Sequence, residues 1–543
     1  SVTDPLGAAV LYEYDASGNL VKVTNRRGFS STYTYDDAHN MLTSNDPAGV
    51  GYIYEYDENG RVIAMVDGEG NRREMEYNTA GRQQISKDPQ GNPLILTYDE
   101  KGRVIAKTDA LNQTTLIEYN DLNLPVRLTD AAGNVTLQTW DAAGNLLSKT
   151  DALGNASTFT YNHLNRQTSA TNARGHTTLF GYDEKGNRTS ITDPAGGVTS
   201  FEYDSRGNLV RETDPLGQET RYEYDTFGRK IVDDPLGPAR TEMTYDDNGR
   251  MTQKTTFRTS GNAVVSETHS YQYDAEGNLT QTVRPDGAVQ ENAYDEAGRV
   301  SGAADPKGRK SDFSRDGRGL LTQGRHKSGR TFDFEYDRNG NLKKLGSSMG
   351  VSVNAELDEL GRTTRVNNPD GTFRIYQYNA LGKAVSETDS NGNTKLYDYD
   401  VNGNVTCTTD TLGNVIRNEY DAVGNLVKMT DPNGNVYEYE YDSRNLNTLI
   451  RFPDGTTRKA AFDAAGRKSS ETDQAGQITR YRHDERGNLL EVTDPLGHST
   501  RYTWDENRNM TSVTDTNDRT TSYTYDSNKR LISTTRPDGK TKT

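Results

Sequence analysis

The chain has 543 residues, 31% of them hydrophobic, with 51 glycines and 63 basic against 79 acidic side chains, for a net charge of −16. Glycine and apolar residues together make up about 40%, short of the roughly 45–50% of ordinary globular domains, so a thick, filled core is excluded. The acidic balance argues against a nucleic-acid groove or an anionic membrane surface, and no apolar run is long enough to insert into a bilayer. No signal-peptide pattern opens the sequence.

The first element, YEYDASGNL at 12–20, returns as YEYDENGR at 54–61 and then throughout the chain. With the second aromatic as marker, the unit steps by 21 residues from Tyr14 to Tyr245, passing through Trp140. It skips 28 residues to Tyr273, then resumes every 21 residues to Trp504 and Tyr525, which makes 25 units. A fixed period in this range is the mark of a repeat architecture, and 32 tyrosines placed in register are not a disorder composition.

Each unit carries two turn signals. The first follows the marker, as in DASG at 15–18 and DAVG at 421–424; the second lies about eleven residues on, as in DPAG at 46–49 and DPNG at 431–434. Asp first, Pro second and Gly fourth is the pattern of a type I turn, with Gly supplying the positive φ of a bulge. The residue after the marker is Asp or Asn in all 25 units. The Gly position holds Gly in 19 and Asn at Asn123, Asn165 and Asn445, while His39, Arg508 and Lys529 break the rule. Between turns lie short alternating strands such as LVKVT (20–24) and STYTY (31–35), which predict antiparallel hairpins with the aromatics on one face forming a ladder of rings.

Variation is local. Residues 250–272 hold seven extra residues and predict a taller hairpin turning at Thr259–Asn262. The units marked by Arg315, Leu357 and His483 lack the aromatic, and 311–357 is the most degenerate stretch, expected to have the poorest ladder contacts. Both ends fall within the repeat, which reads as an excerpt of a longer polypeptide. Residues 1–543 are expected to form a single repeat-built β-solenoid shell of 25 units, with flanking N-terminal and C-terminal domains absent.

Fifty strands cannot lie in one flat sheet, because sheets rarely exceed ~10 strands without curling. At ~4.8 Å per strand, 25 hairpins give a ribbon on the order of 240 Å long, and handed twist must coil it. Lacking apolar filler, the fold class is all-β: tandem 21-residue hairpins in one long antiparallel sheet coiled into a hollow spiral.

The unit x-Tyr-Asp-x-x-Gly-Asn/Arg-Leu with its DPxGN second turn, as in YEYDASGNLVKVTN, FEYDSRGNLVRETDPLGQ and YDAVGNLVKMTDPNGN, resembles the YD repeats of Rhs proteins. Those repeats also occur in the BC component of insecticidal Tc toxins and in teneurins. The resemblance implies a hollow β-cage. In the bacterial members that cage encloses a C-terminal toxin domain of the same polypeptide, is secreted or delivered extracellularly, and engages a secretion apparatus. The family's core segment, rich in DPxGL and NxYxY, is not matched. DPLG at 4–7, 214–217, 234–237 and 494–497 reads each time as an ordinary second turn.

The alternative from the residues is a recognition module in which exposed tyrosines flanked by Asn, Asp and Arg bind a glycan or receptor. Catalytic candidates resolve into turn chemistry. Asp233 and Asp234 form an adjacent acid pair, but Asp234 is expected to lead an early Pro235-Leu-Gly turn. Each Asp loop offers too few carboxylates for calcium. The histidines at 39, 163, 176, 269, 326, 483 and 498 show no metal-site spacing, and Cys407 fills a Thr/Ser position. The sequence assigns no catalytic residue, no cofactor and no metal ligand.

Overall fold

The computed structural model describes all residues except 236–239, 261–262, 506 and 527–528, and only the backbone of 234–235, 258–260 and 263. Among the described residues there is no helix; 52 strands run from Val2–Thr3 to Thr541–Lys542. Each strand pairs antiparallel with its neighbours in sequence, and every strand–strand contact joins such neighbours. One continuous, unclosed sheet results.

The first turn shows why the unit folds as it does. Gly18 N donates to Asp15 O at 3.1 Å and Asp15 N to Asn19 O at 3.0 Å, and the register slips by one residue between Glu13 and Tyr14. This is a type I turn closed by a bulge, and it demands positive φ at the fourth turn residue. That residue has φ between 59° and 92° in 24 of the 25 units, including His39, Arg508 and Lys529, so the backbone rule holds where the residue rule breaks. The exception is the unit of Tyr77. There the strand Arg72–Asn78 runs one residue longer, Gly81 is not left-handed, and Arg82 takes the positive φ of 50° instead. The expectation that Gly81 gates that turn is therefore corrected.

Residues 250–272 do build the taller hairpin, from strands Met251–Ser260 and Ala263–Tyr273, the longest in the molecule. Its expected turn at 259–262 falls partly outside the described residues; Thr259 and Ser260 still belong to the strand. Likewise the strand Lys230–Pro235 continues through Asp234, paired with Arg221, so Asp234 does not open a turn, and 236–239 lie outside the described residues. Across 311–357 the strands Lys310–Arg315 through Ser352–Leu357 keep the same backbone pairing and bulge as the other units.

The interior is unfilled. Among described residues no large side chain is fully buried, and Ala64 is the one buried apolar residue. A compact protein of 60.2 kDa would expose roughly 19,000 Å², whereas this chain exposes 30274 Å². Most marker strands keep one face half-covered and the other open, while return strands such as Leu20–Thr24 and Leu426–Thr430 are half-covered throughout. In Val436–Tyr441 the rings of Tyr437, Tyr439 and Tyr441 are half-buried while Glu438 and Glu440 stand exposed. The open face carries cross-strand ion pairs such as Lys22–Glu13 at 2.7 Å and Lys428–Glu419 at 2.8 Å, each contributing ~1 kcal/mol or less.

Side-chain bonds between distant turns fix the coil. Asn248 Nδ2 donates to Asp4 Oδ2 at 2.9 Å, Asn339 to Asp88 at 2.5 Å, and Asn402 to Asp151 at 2.6 Å. In each case 23 strands lie between the partners. A turn of the spiral is thus 23 strands, and at ~4.8 Å each the circumference is ~110 Å and the backbone diameter ~35 Å. Side chains reaching ~5 Å inward leave a channel on the order of 25 Å wide.

Candidate functional site: the wall and its seam

Three side-chain devices repeat along the wall, and each starts from the leading Asp. In the first turn Asp57 Oδ1 accepts from Asn59 N and Arg61 N, both at 2.9 Å, and Oδ2 accepts from Arg61 Nε at 2.7 Å. Where Asn replaces Arg, its Nδ2 makes the same bond, as Asn19 does to Asp15 Oδ2 at 2.8 Å. The Asn/Arg alternation after Gly therefore has one cause, a donor for Oδ2. Arg adds a second contact: Arg103 lies 4.8 Å over the Tyr119 ring and bonds Asn120 O at 3.2 Å, joining one hairpin to the next. These donors hold the Asp57 and Asp15 carboxyls below the ordinary range. The backbone N–H and then the guanidinium of Arg61 do so for Asp57, and the Asn19 amide followed by its N–H for Asp15.

The marker ring is a staple rather than a rung. Thirteen marker tyrosines donate their hydroxyl to the carbonyl of the residue that opens the preceding hairpin's return strand, fifteen positions back in the regular units. Tyr399 to Ala384 O, at 2.7 Å, is representative. Trp140 and Trp504 make the same bond through Nε1 at 2.7 Å, and Arg315 reaches Val300 O at 3.4 Å. The expected ladder of stacked rings is thereby corrected: successive markers are two strands apart, roughly 10 Å, too far to stack. The sequence carried a mixed signal, because the substitutes Trp140, Trp504 and Arg315 offer an N–H donor while Leu357 and Phe462 offer none.

The third device is the seam between spiral turns. Second-turn tips of one coil meet first-turn tips of the next. Besides the Asn–Asp bonds, Glu69 Oε1 accepts from Gly317 N at 2.6 Å, Arg299 approaches Asp46 at 3.4 Å, and Arg530 approaches Asp286 at 3.2 Å. Arg174 bonds Tyr441 O and Asn445 Oδ1, both at 3.0 Å, and Arg27 bonds Asp295 O at 2.7 Å. Burial pushes the Asp151 carboxyl up, but the Asn155 and Asn402 amides hold it below its usual value. Between the Asp88 and Asp151 links, Leu360 and Leu381 occupy the tip position that Asn339 and Asn402 hold elsewhere, and a groove of about 510 Å³ opens there. Sequence reasoning missed this seam, for the partners lie some 250 positions apart.

The individual candidates stay apart. Asp233 is 3.8 Å from Lys230. His39 pairs with Asn19 at 2.6 Å, His326 with Ser328 at 2.8 Å and His498 with Asp494 at 3.1 Å, in separate units. Cys407 is half-buried within a strand. Among the described residues no group of three or more His, Cys, Asp and Glu is placed to hold a metal.

Hairpins coiled about an unfilled channel define a repeat-built shell wall. The chain belongs to the RHS repeat family: the model described as RHS Repeat matches residues 1–30, 14–50, 56–93, 98–135, 140–177, 161–199, 182–216, 203–239, 245–289, 358–394, 378–415, 420–457, 462–498, 483–520 and 509–541. The unmatched stretch 290–357 includes the degenerate segment noted above. A search of curated proteins gave no match. Among solved structures, the chain is similar to the crystal structure of TcdB2-TccC3, at 14% identity and a TM-score of 0.61, covering 98% of this chain and 35% of that one. It is also similar to the Photorhabdus luminescens Tc holotoxin pore carrying TccC3-D651A (14% identity, TM-score 0.52, 97% and 31%). TcdB2-TccC3 without its hypervariable C-terminal region is a third (13%, 0.52, 98% and 33%). This chain spans about a third of those chains, and the likeness is one of fold.

Proposed function

We propose that this chain is the wall of a container that sequesters a polypeptide cargo, a toxin domain C-terminal to the repeats in the same protein, before extracellular delivery. The unfilled channel supports this reading most directly. A ribbon with 30274 Å² of exposed surface, coiled by its twist around a channel that no buried core fills, leaves room for a cargo. The open face carries cross-strand ion pairs together with exposed leucines such as Leu116, Leu137 and Leu179. The Tc complexes with the same fold add support, since one of them is named for a hypervariable C-terminal region. The recognition reading has less behind it, because thirteen of the marker tyrosines and both tryptophans have their polar atom engaged by the staple.

Limited proteolysis of the natural polypeptide that contains these repeats tests the proposal. The segment following the repeats should resist protease while the wall is intact and be cut once denaturant opens it. Prompt cutting of that segment in the native protein would refute sequestration.

A further inference from the structure

The spiral is held by two kinds of contact of unequal strength. Along the ribbon, every strand is hydrogen-bonded to its neighbour through the backbone. Among the described residues no strands of different coils pair, and the coils meet through turn tips and the strand ends beside them, as where Arg174 bonds Tyr441 O. The seam bonds end on carboxylates and carbonyls in part-buried turns and at strand ends: Asn248 to Asp4, Asn339 to Asp88, Asn402 to Asp151, Arg299 to Asp46. Bonds of this kind contribute little net stability each, whereas ladder bonds are cooperative along the sheet. The coils can therefore separate along the seam without any ladder bond breaking.

One place on the seam carries a groove instead of an Asn–Asp link. Between the Asp88 and Asp151 links the groove is lined by Arg73, Lys107, Asp109, Glu359, Leu360 and Leu381, so it offers donors, acceptors and apolar surface together. That mixture suits an extended polypeptide, whose backbone needs hydrogen-bond partners and whose side chains vary. We propose that the seam is a lateral gate in the wall, opening first at the Leu360–Leu381 groove, and that an unfolded polypeptide passes through it. The passage of cargo rests on the container reading; the parting of the seam does not.

Spin labels measure the parting directly. In a Cys407→Ser background, one pair (Ala132→Cys with Glu359→Cys) spans the seam, and a second pair (Ala132→Cys with Leu153→Cys) lies within one coil. In urea below the midpoint for loss of the β circular-dichroism signal, the cross-seam distance should grow by at least one strand spacing, ~5 Å, while the same-coil distance holds. The triple substitution Asn248→Ala, Asn339→Ala and Asn402→Ala removes only seam bonds. It should lower the urea concentration at which parting begins and leave the circular-dichroism midpoint in place. If the cross-seam distance stays fixed until the β signal is lost, or both pairs lengthen together, the gate is overturned. Failure of the proteolysis test above would remove the cargo and leave this measurement standing.

Discussion

Replacing Tyr399 by Phe removes one hydroxyl and keeps the ring. In the wall that hydroxyl donates to Ala384 O at 2.7 Å, and burial raises the Tyr399 pKa, as expected of a phenol held against the sheet. An intramolecular hydrogen bond contributes about 0.5–1.5 kcal/mol net, and the Ala384 carbonyl left without its partner sets the upper part of that range. Stability in a one-dimensional repeat is local, so a whole-chain melt would dilute the effect. Hydrogen exchange followed by mass spectrometry reads the hairpin itself. Peptides covering 379–399 should lose protection by about fivefold, the equivalent of ~1 kcal/mol. Tyr399→Trp should restore most of it, since Trp140 and Trp504 make this bond naturally. Tyr399→Leu should lose more than Tyr399→Phe by the area of the ring. The reverse change, Phe462→Tyr, places a hydroxyl fifteen residues after the Asn447 carbonyl and should increase protection around 447. If the Tyr399→Phe variant is protected as well as the parent chain, the ring alone matters and the staple has no energetic role.

The turns make their own predictions. Gly424 has φ +89°, so Gly424→Ala should destabilise its hairpin by about 1–2 kcal/mol, and Gly424→Asn by less, read by local exchange. Arg508 has φ +61°, so Arg508→Gly should stabilise its hairpin by ~1 kcal/mol. Acid should unfold the wall through its turns. The carboxyls of Asp15, Asp57 and Asp99 are held below their ordinary value, so their contribution is complete above the unfolded aspartate pKa of ~3.9 and lost as pH falls through the lower folded values. Melting temperature should accordingly be flat from pH 7 to ~5 and fall steeply below ~4. Asp57→Asn, which keeps the Oδ1 acceptor, should make its own hairpin less sensitive to acid; an unchanged acid slope in that hairpin would count against the carboxylate account. Electron microscopy should show a hollow object with a wall one sheet thick; a solid particle would refute the unfilled channel.

Much of the wall was legible in the sequence because it is built within five-residue windows. Asp15 to Asn19 contains every atom that closes the first turn, and the same holds from Asp46 to Val50 for the second. The 21-residue period, the antiparallel hairpin and the lack of filler follow from those windows and from composition. The donor role of the marker was written there only in part, in the replacement of Tyr by Trp and Arg, since Leu357 and Phe462 carry no donor and ring stacking was the nearer inference. The unit of Tyr77 shows the limit of such reading: Gly81 stands where Gly should turn the chain, but one more ladder pair, Asn78 with Gln83, moves the turn on to Arg82.

What the tertiary structure alone decided is the pitch. Twist accumulates by a small angle per strand, so its sum over 23 strands depends on bulges and side-chain packing along the whole ribbon, and no local motif encodes the total. That sum sets which tips meet, Asn402 with Asp151 and Leu381 near Asp130, and hence where the seam holds and where it gapes. Local hydrogen bonds made the ribbon; accumulated twist made the container.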